Sequence, residues 1–248
     1  MKKPFPVLAG FLFLFAVYHF PEFYDSFLIA AIFKIGFLVL AILVGRWQGW
    51  KGLEGYGLGL TKQWYLFLAF GLLIGLAAFI LSVFLSVGLK FEVLENIKPI
   101  SSLISSLPMI LLMTFFPSIA EDILTRGYFW GHLRKIKPAA WILLSASIYV
   151  LNHIWRLNEG AAVLSYLFLL GLVLAFVVVI RKDLWLALGI HWGANIAFES
   201  ANASVTLSKT TDTNGPTWCL AASWGLVLLV LVIAYAKKLS KRTVLTES

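Results

Sequence analysis

Glu121, Asp122 and Arg126 are ionisable side chains in the run Glu121-Asp122-Ile123-Leu124-Thr125-Arg126-Gly127, embedded in an otherwise apolar stretch. A charge at membrane depth costs roughly 2.5 to 3.5 kcal/mol on insertion scales, so such residues face a partner or a water-filled cavity and mark function. On a helix Asp122 and Arg126 stand four apart, acid first, the favourable order for pairing on one face. Glu121 is left without a local partner, and a carboxylate held away from bulk water accepts a proton readily near neutral pH. Two later polar pairs have the same helical spacing, Tyr149 with His153 and His191 with Asn195. A carboxylate and an imidazole on facing helices can take a proton from a water held between them and direct the hydroxide at a peptide carbonyl. A second imidazole and an amide can donate to the oxygen where negative charge builds. The expectation is therefore that Glu121 and His153 activate water and that His191 and Asn195 form the oxyanion hole. Asp122, Arg126 and Tyr149 support them.

Facing helices must position these groups. In an antiparallel hairpin, residues equidistant from the turn lie level, and the midpoint of 121 and 153 is 137, inside the basic turn His132-Leu133-Arg134-Lys135-Ile136-Lys137-Pro138. At 1.5 Å rise per residue, Glu121 and His153 each lie about 24 Å from that turn. His191 starts about 13 Å from the Arg181-Lys182 boundary by the same rise, closer to the cytoplasmic side, and tilt in the fourth helix could reconcile these depths.

The elements themselves are membrane helices. The chain has 248 residues, of which 60% are hydrophobic and 13% charged. A soluble domain carries about 25% charged residues, which excludes a single soluble core. Eight apolar segments approach the ~20 residues a membrane helix needs: 5–20, 25–45, 64–87, 103–133, 138–156, 161–180, 184–204 and 217–236. The fourth is too long for one straight span and contains Pro108 and Pro117, which predict a kink or a break. The fold class is all-α, a polytopic membrane bundle of about eight transmembrane helices, read as one integral membrane domain over 1–248 with its catalytic core at about 103–204.

The net charge of +8 does not point to nucleic acid, because Lys and Arg sit in short clusters between apolar runs and form no basic stripe. They obey the positive-inside rule instead. With a cytoplasmic N-terminus, 15 of the 20 lie in or beside cytoplasmic segments and four, Lys90, Lys98, Arg156 and Lys209, on the other side; Lys34 lies within a span. Both termini are expected in the cytoplasm of a multi-pass cell-membrane protein. The Lys2-Lys3 start reads as an uncleaved first helix, since no small-residue cleavage pattern follows it. The Gly- and Trp-rich segment 46–64 reads as an interfacial connector, and 90–98 and 208–216 as polar loops. Cys219 is the single cysteine, which leaves no disulfide framework.

The motifs Glu121-Asp122-Ile-Leu-Thr-Arg126, Tyr149-Val-Leu-Asn-His153 and His191-Trp-Gly-Ala-Asn195, in this order, resemble the three motifs of the CAAX protease and bacteriocin-processing family, EExxxR, FxxxH and HxxxN. The resemblance covers about 121 to 195. It implies an intramembrane endopeptidase of about eight helices, in which Glu121, Arg126, His153, His191 and Asn195 match the family's functional positions. Asp122 replaces the usual second Glu, keeping the charge with a shorter reach, and Tyr149 replaces the usual Phe, keeping an aromatic wall. The implied partners are a peptide or membrane-protein substrate and the lipid bilayer, with no nucleic acid; the implied substrate is a prenylated CAAX peptide, or a bacteriocin-type peptide that is processed or neutralised.

The other readings are a structural ion pair for Glu121, Asp122 and Arg126; hydrogen-bonded interior imidazoles for His153 and His191; and packing glue for Asn195. Glutamate-dependent chemistry without a cofactor is favoured over catalytic zinc on Glu121, His153 and His191, because no HExxH occurs and Arg126 would oppose a cation. The functional alternatives are a non-catalytic membrane immunity or scaffold protein and a proton-coupled transporter; the transporter is weakened by the lack of a repeat of broken helices. Glu199 continues the His191 and Asn195 face as a minor supporting candidate. His19 and His132 are assigned no role, Gly71 and Gly75 are read as close-packing positions, and Trp185 and Trp192 as interface anchor and cavity wall.

Overall fold

A computed structural model describes residues 4–210 and 214–246. The helices are α1 (Pro4–His19), α2 (Phe27–Trp47), α3 (Trp64–Gly88), α4 (Ile100–Asp122), α5 (Tyr128–His132), α6 (Pro138–Asn152), α7 (Ala161–Arg181), α8 (Trp185–Ser204) and α9 (Gly215–Thr246). α4 runs through a π-helical turn, Ile123–Gly127, into α5, so the two form one element. Among the described residues six helical runs are long and apolar enough to cross a membrane. The protein is thus a helical multi-pass membrane bundle, whose outward residues, such as Phe5, Leu8, Ile80 and Phe84, are apolar and exposed where lipid would lie. α6 has 15 residues, fewer than the 138–156 span expected, and α8 carries His191, Asn195 and Glu199, which dilute its hydropathy.

Two features set the positions of the site helices. The first is a glycine seam between α3 and α8. A Cβ on Gly71 would come within 2.5 Å of the Leu186 carbonyl oxygen and 2.9 Å of Gly189 Cα, and one on Gly193 within 2.9 Å of Leu72 Cα. Backbones approach this closely only where side chains are absent. Gly189 and Gly193 bracket His191, so the seam fixes that helix where the imidazole is. The second is α7, packed against α6, α8 and α9 with half of its span buried. Its side chains Leu167, Leu170, Val173, Leu174 and Val177 form the middle of the core.

The connector between α2 and α3 packs back onto the bundle. Tyr56 is fully buried and donates its hydroxyl to the Ala41 carbonyl at 2.8 Å, and Gly57, at φ +88°, accepts from Leu184 N at 2.9 Å. Gly127 of the π-turn lies against Tyr56, where a Cβ would stand 2.9 Å from the Tyr56 carbonyl oxygen. The expected polar loops also acquire structure: β1 (Glu92–Ile97) pairs antiparallel with β2 (Val205–Lys209), Glu92 opposite Lys209 and Ile97 opposite Val205, with a bulge between Leu94 and Asn96. This two-stranded sheet is an addition to the all-α bundle. It ties the α3–α4 connection to the α8–α9 connection.

Candidate active site

Pro117 removes a backbone donor from α4, and Thr114 and Ser118 donate their hydroxyls to the Ile110 and Thr114 carbonyls, each at 2.6 Å. Beyond Asp122 the helix widens into the π-turn. Such a turn inserts one residue and leaves backbone carbonyls misaligned, and π-bulges recur at functional sites. Here side chains satisfy them: Thr125 Oγ1 donates to the Glu121 carbonyl at 2.8 Å, and Ser145 Oγ of α6 donates to the Thr125 carbonyl at 3.2 Å. Ser145 thereby ties α6 to the turn that carries Glu121.

Asp122 and Arg126 are fully buried and form the ion pair expected from their spacing. Arg126 also donates to Thr125 Oγ1 at 3.0 Å, and its guanidinium carbon lies 4.4 Å from the centre of the Tyr149 ring. Asp122 Oδ1 is shared. It accepts from His191 Nδ1 at 3.1 Å as well as from Arg126, so the shorter side chain still reaches both partners. A carboxylate accepts, so His191 carries a proton on Nδ1 and points Nε2 at Glu121 Oε2, 3.5 Å away.

His153 arrives differently from the expectation. α6 ends at Asn152, and His153 is the first residue past the helix, at φ −93° and ψ 49°, followed by a 3-10 turn, Ile154–Arg156. Its spacing to Tyr149 is therefore that of a helix end. His153 Nδ1 lies 2.8 Å from the Tyr149 carbonyl, which can only accept, so Nε2 is left facing Glu121 Oε1 at 3.5 Å. The Tyr149 ring stands edge-on to both imidazoles, with centroids 4.8 and 5.9 Å away.

Glu121, Tyr149, His153, His191 and Asn195 thus meet at one cavity of about 350 Å³, whose apolar walls include Phe79, Leu167, Leu170 and Phe198 and whose rim holds Arg156. Asn195 is at the cavity, but its Nδ2 donates to Ser118 Oγ at 3.0 Å. Outside the membrane helices, Arg156 chelates Glu159 through Nε and Nη2 at 2.7 to 3.1 Å and bonds Tyr166. These hydrogen bonds hold the Glu159 carboxyl below the ordinary glutamate range and raise the Arg156 guanidinium.

The family model described as Type II CAAX prenyl endopeptidase Rce1-like matches residues 103–197. That stretch of the chain is similar to the Rce1-like family. The Rce1-like segment runs from α4 to within α8 and contains the residues converging on the cavity; α1 to α3, the sheet and α9 lie outside it. At the level of the family, the match supports a CAAX-type intramembrane protease, a membrane hydrolase whose substrate is a peptide. No curated protein and no solved structure matches the chain.

Several residues of the site escaped the sequence. Asn152, beside His153, donates Nδ2 to Glu121 Oε1 at 2.9 Å. His19, assigned no role, is buried and bonds both Asn152 and Glu22. His132, the other such histidine, bonds Gln48 Oε1 at 2.8 Å and packs on Trp50. Glu199 is exposed and is not among the cavity residues. Trp192 donates to Thr114 Oγ1 at 3.1 Å and packs on Phe115, whereas Trp185 donates to the Gly59 carbonyl at 2.9 Å. As to zinc, among the described residues no group of three or more His, Cys, Asp or Glu side chains is arranged to hold a metal ion.

Proposed function

We propose that this chain is an intramembrane endopeptidase that hydrolyses a peptide bond with a water activated by Glu121 and His153. The observation that carries the reading is the placement of the Glu121 carboxylate, each oxygen 3.5 Å from a different imidazole Nε2, at a cavity within the helical bundle. A water in contact with both Glu121 and His153 Nε2 gives up a proton to the carboxylate and attacks the scissile carbonyl carbon as hydroxide. The carbonyl oxygen becomes an oxyanion, and collapse of the tetrahedral intermediate breaks the C–N bond as Glu121 returns the proton to the leaving amine. His191, held by Asp122 through Nδ1, donates to the oxyanion from Nε2 as an imidazolium that the Asp122 carboxylate stabilises. Asn195 joins it by exchanging its bond to Ser118 for one to the oxyanion. No step is routed through a metal, in keeping with glutamate-dependent chemistry.

The test is cleavage of a peptide library, with and without CAAX ends and prenyl groups, by purified protein in lipid vesicles. Glu121→Gln and His153→Ala abolish cleavage while leaving the unfolding temperature in detergent close to that of the parent. Asn195→Ala lowers kcat by about 10²- to 10³-fold, the usual cost of one oxyanion donor. A chelator leaves the rate unchanged. Cleavage that survives in both Glu121→Gln and His153→Ala removes the proposal, and loss with chelator that zinc restores replaces it with the zinc form.

A further inference from the structure

Glu121 is held from a direction the three motifs do not describe. Asn152, 6% exposed, gives its amide N–H to Glu121 Oε1, which turns its Oδ1 to His19 Nε2 at 3.1 Å. An amide oxygen only accepts, so Nε2 of His19 carries a proton. His19 Nδ1 lies 2.7 Å from Glu22 Oε2, and the same oxygen receives the Trp155 indole N–H at 2.6 Å. A carboxylate oxygen that accepts from the indole accepts from the imidazole too, so Nδ1 is also protonated. His19, 4% exposed on the bundle's inner side, thus has an acceptor oxygen against each ring nitrogen, the arrangement an imidazolium paired with Glu22 would make.

The groups around it come from α1, α2, α4 and the end of α6. On its own turn it faces Glu22, and Tyr18 and Phe15 of α1 stand with ring centroids 5.0 and 4.3 Å away. From α2, Lys34 is directed to the Tyr18 carbonyl at 3.1 Å and to the face of the Tyr18 ring. From α4, Glu121 is reached through Asn152. Trp155, past the end of α6, completes the shell around Glu22.

We infer that His19 and Glu22 are positioning residues for the reactive carboxylate: the His19 imidazolium fixes the orientation of the Asn152 amide so that its N–H, and not its oxygen, meets Glu121. The inference rests on the proposed role of Glu121. A neutral His19 that keeps its proton toward Glu22 sets a bare Nε2 against Asn152 Oδ1. Two acceptors then face one another, and the amide relieves this by rotating, which presents its oxygen to the Glu121 carboxylate. The first helix, outside the Rce1-like match, thereby reaches the site through one amide and sets the orientation of the carboxylate that takes the proton from water.

Nitrogen-15 NMR of the full-length, histidine-labelled protein tests the geometry, with the His19 signals assigned by their loss in His19→Gln. Both ring nitrogens are protonated at neutral pH; a ring with one bare nitrogen overturns the inference. In the cleavage assay, His19→Leu and Asn152→Leu each lower kcat by about tenfold or more, the worth of one hydrogen bond to a charged group, with KM little changed. The double variant is no slower than either single one, as expected for two parts of one device. His19→Gln, whose amide N–H still donates to Asn152 Oδ1, recovers most of the rate. Additive losses, or rates unaffected by His19→Leu, overturn the inference. If the parent protein cleaves no peptide, the role of Glu121 has failed, and the NMR still decides the protonation of His19 independently.

Discussion

The buried Asp122–Arg126 pair shows how much one residue carries here. Asp122 Oδ1 serves two donors, while Asp122 Oδ2 and Arg126 Nε and Nη2 have no hydrogen-bond partner among the described residues. Removing one partner of such a pair leaves an uncompensated buried charge, at a cost of about 3 to 5 kcal/mol, whereas replacing both with apolar groups is often neutral. Arg126→Met alone is therefore expected to destabilise the protein by that amount, and Asp122→Leu with Arg126→Met to recover most of it, measured by unfolding in detergent. The double variant remains inactive, because nothing then holds the Nδ1 proton of His191. Recovered cleavage would show that the pair serves stability alone. The same residues show what was legible. Glu121, Asp122, Arg126, His191 and Asn195 could be found because helical spacing places them and their isolation in apolar sequence singles them out. Asn152 could not, since its partner His19 lies 133 positions away and no local period joins them. His19 and Glu22 at i and i+3 were a weak signal that was there to be read.

At the scale of elements, the sequence located the helices but not how they end or meet. The π-turn of Ile123–Gly127 leaves no mark in composition, and α6 stopping at Asn152 is invisible in an apolar run that continues to Trp155. The sheet was missed because β1 and β2 are more than 100 residues apart and each reads as a polar loop. The α3–α8 seam was foreshadowed by Gly71 and Gly75, though its other half, Gly189 and Gly193, was not. Gly193→Val drives methyl groups into the Leu72 backbone, so overpacking of about 1 to 3 kcal/mol is expected, with cleavage falling further than stability because His191 moves with α8. Loss of stability with unchanged cleavage by the folded fraction would show that the seam does not position the site. The turn after His153 adds a pH dependence. Because Arg156 lowers the Glu159 carboxyl, their pairing is complete above the ordinary glutamate range and is lost only as pH falls through the lowered value. Glu159→Gln should therefore lose the acid-side part of the stability profile and leave the neutral part flat, a small effect because the pair is solvent-exposed.

For the molecule as a whole, helix alternation decides which way the cavity opens. α6 has the basic turn 133–137 at one end and the Arg156–Glu159 turn at the other, and the short 182–184 link makes α7 and α8 antiparallel, so the β1–β2 sheet lies on the Arg156 side. Arg156 and Thr217, at the start of α9, both border the cavity, which therefore opens toward the sheet and away from Arg134, Lys135, Arg181 and Lys182. We propose from the positive-inside bias that this second set is cytoplasmic, and substrate would then reach Glu121 from the membrane or the outer side. Single cysteines at Glu159 and Ser208, in a Cys219→Ala background, are expected to react with a membrane-impermeant maleimide added to intact cells, while one at Arg134 reacts only after the membrane is opened. The reverse pattern would invert the molecule and open the cavity to the cytoplasm, the side from which a prenylated peptide made there would have to arrive.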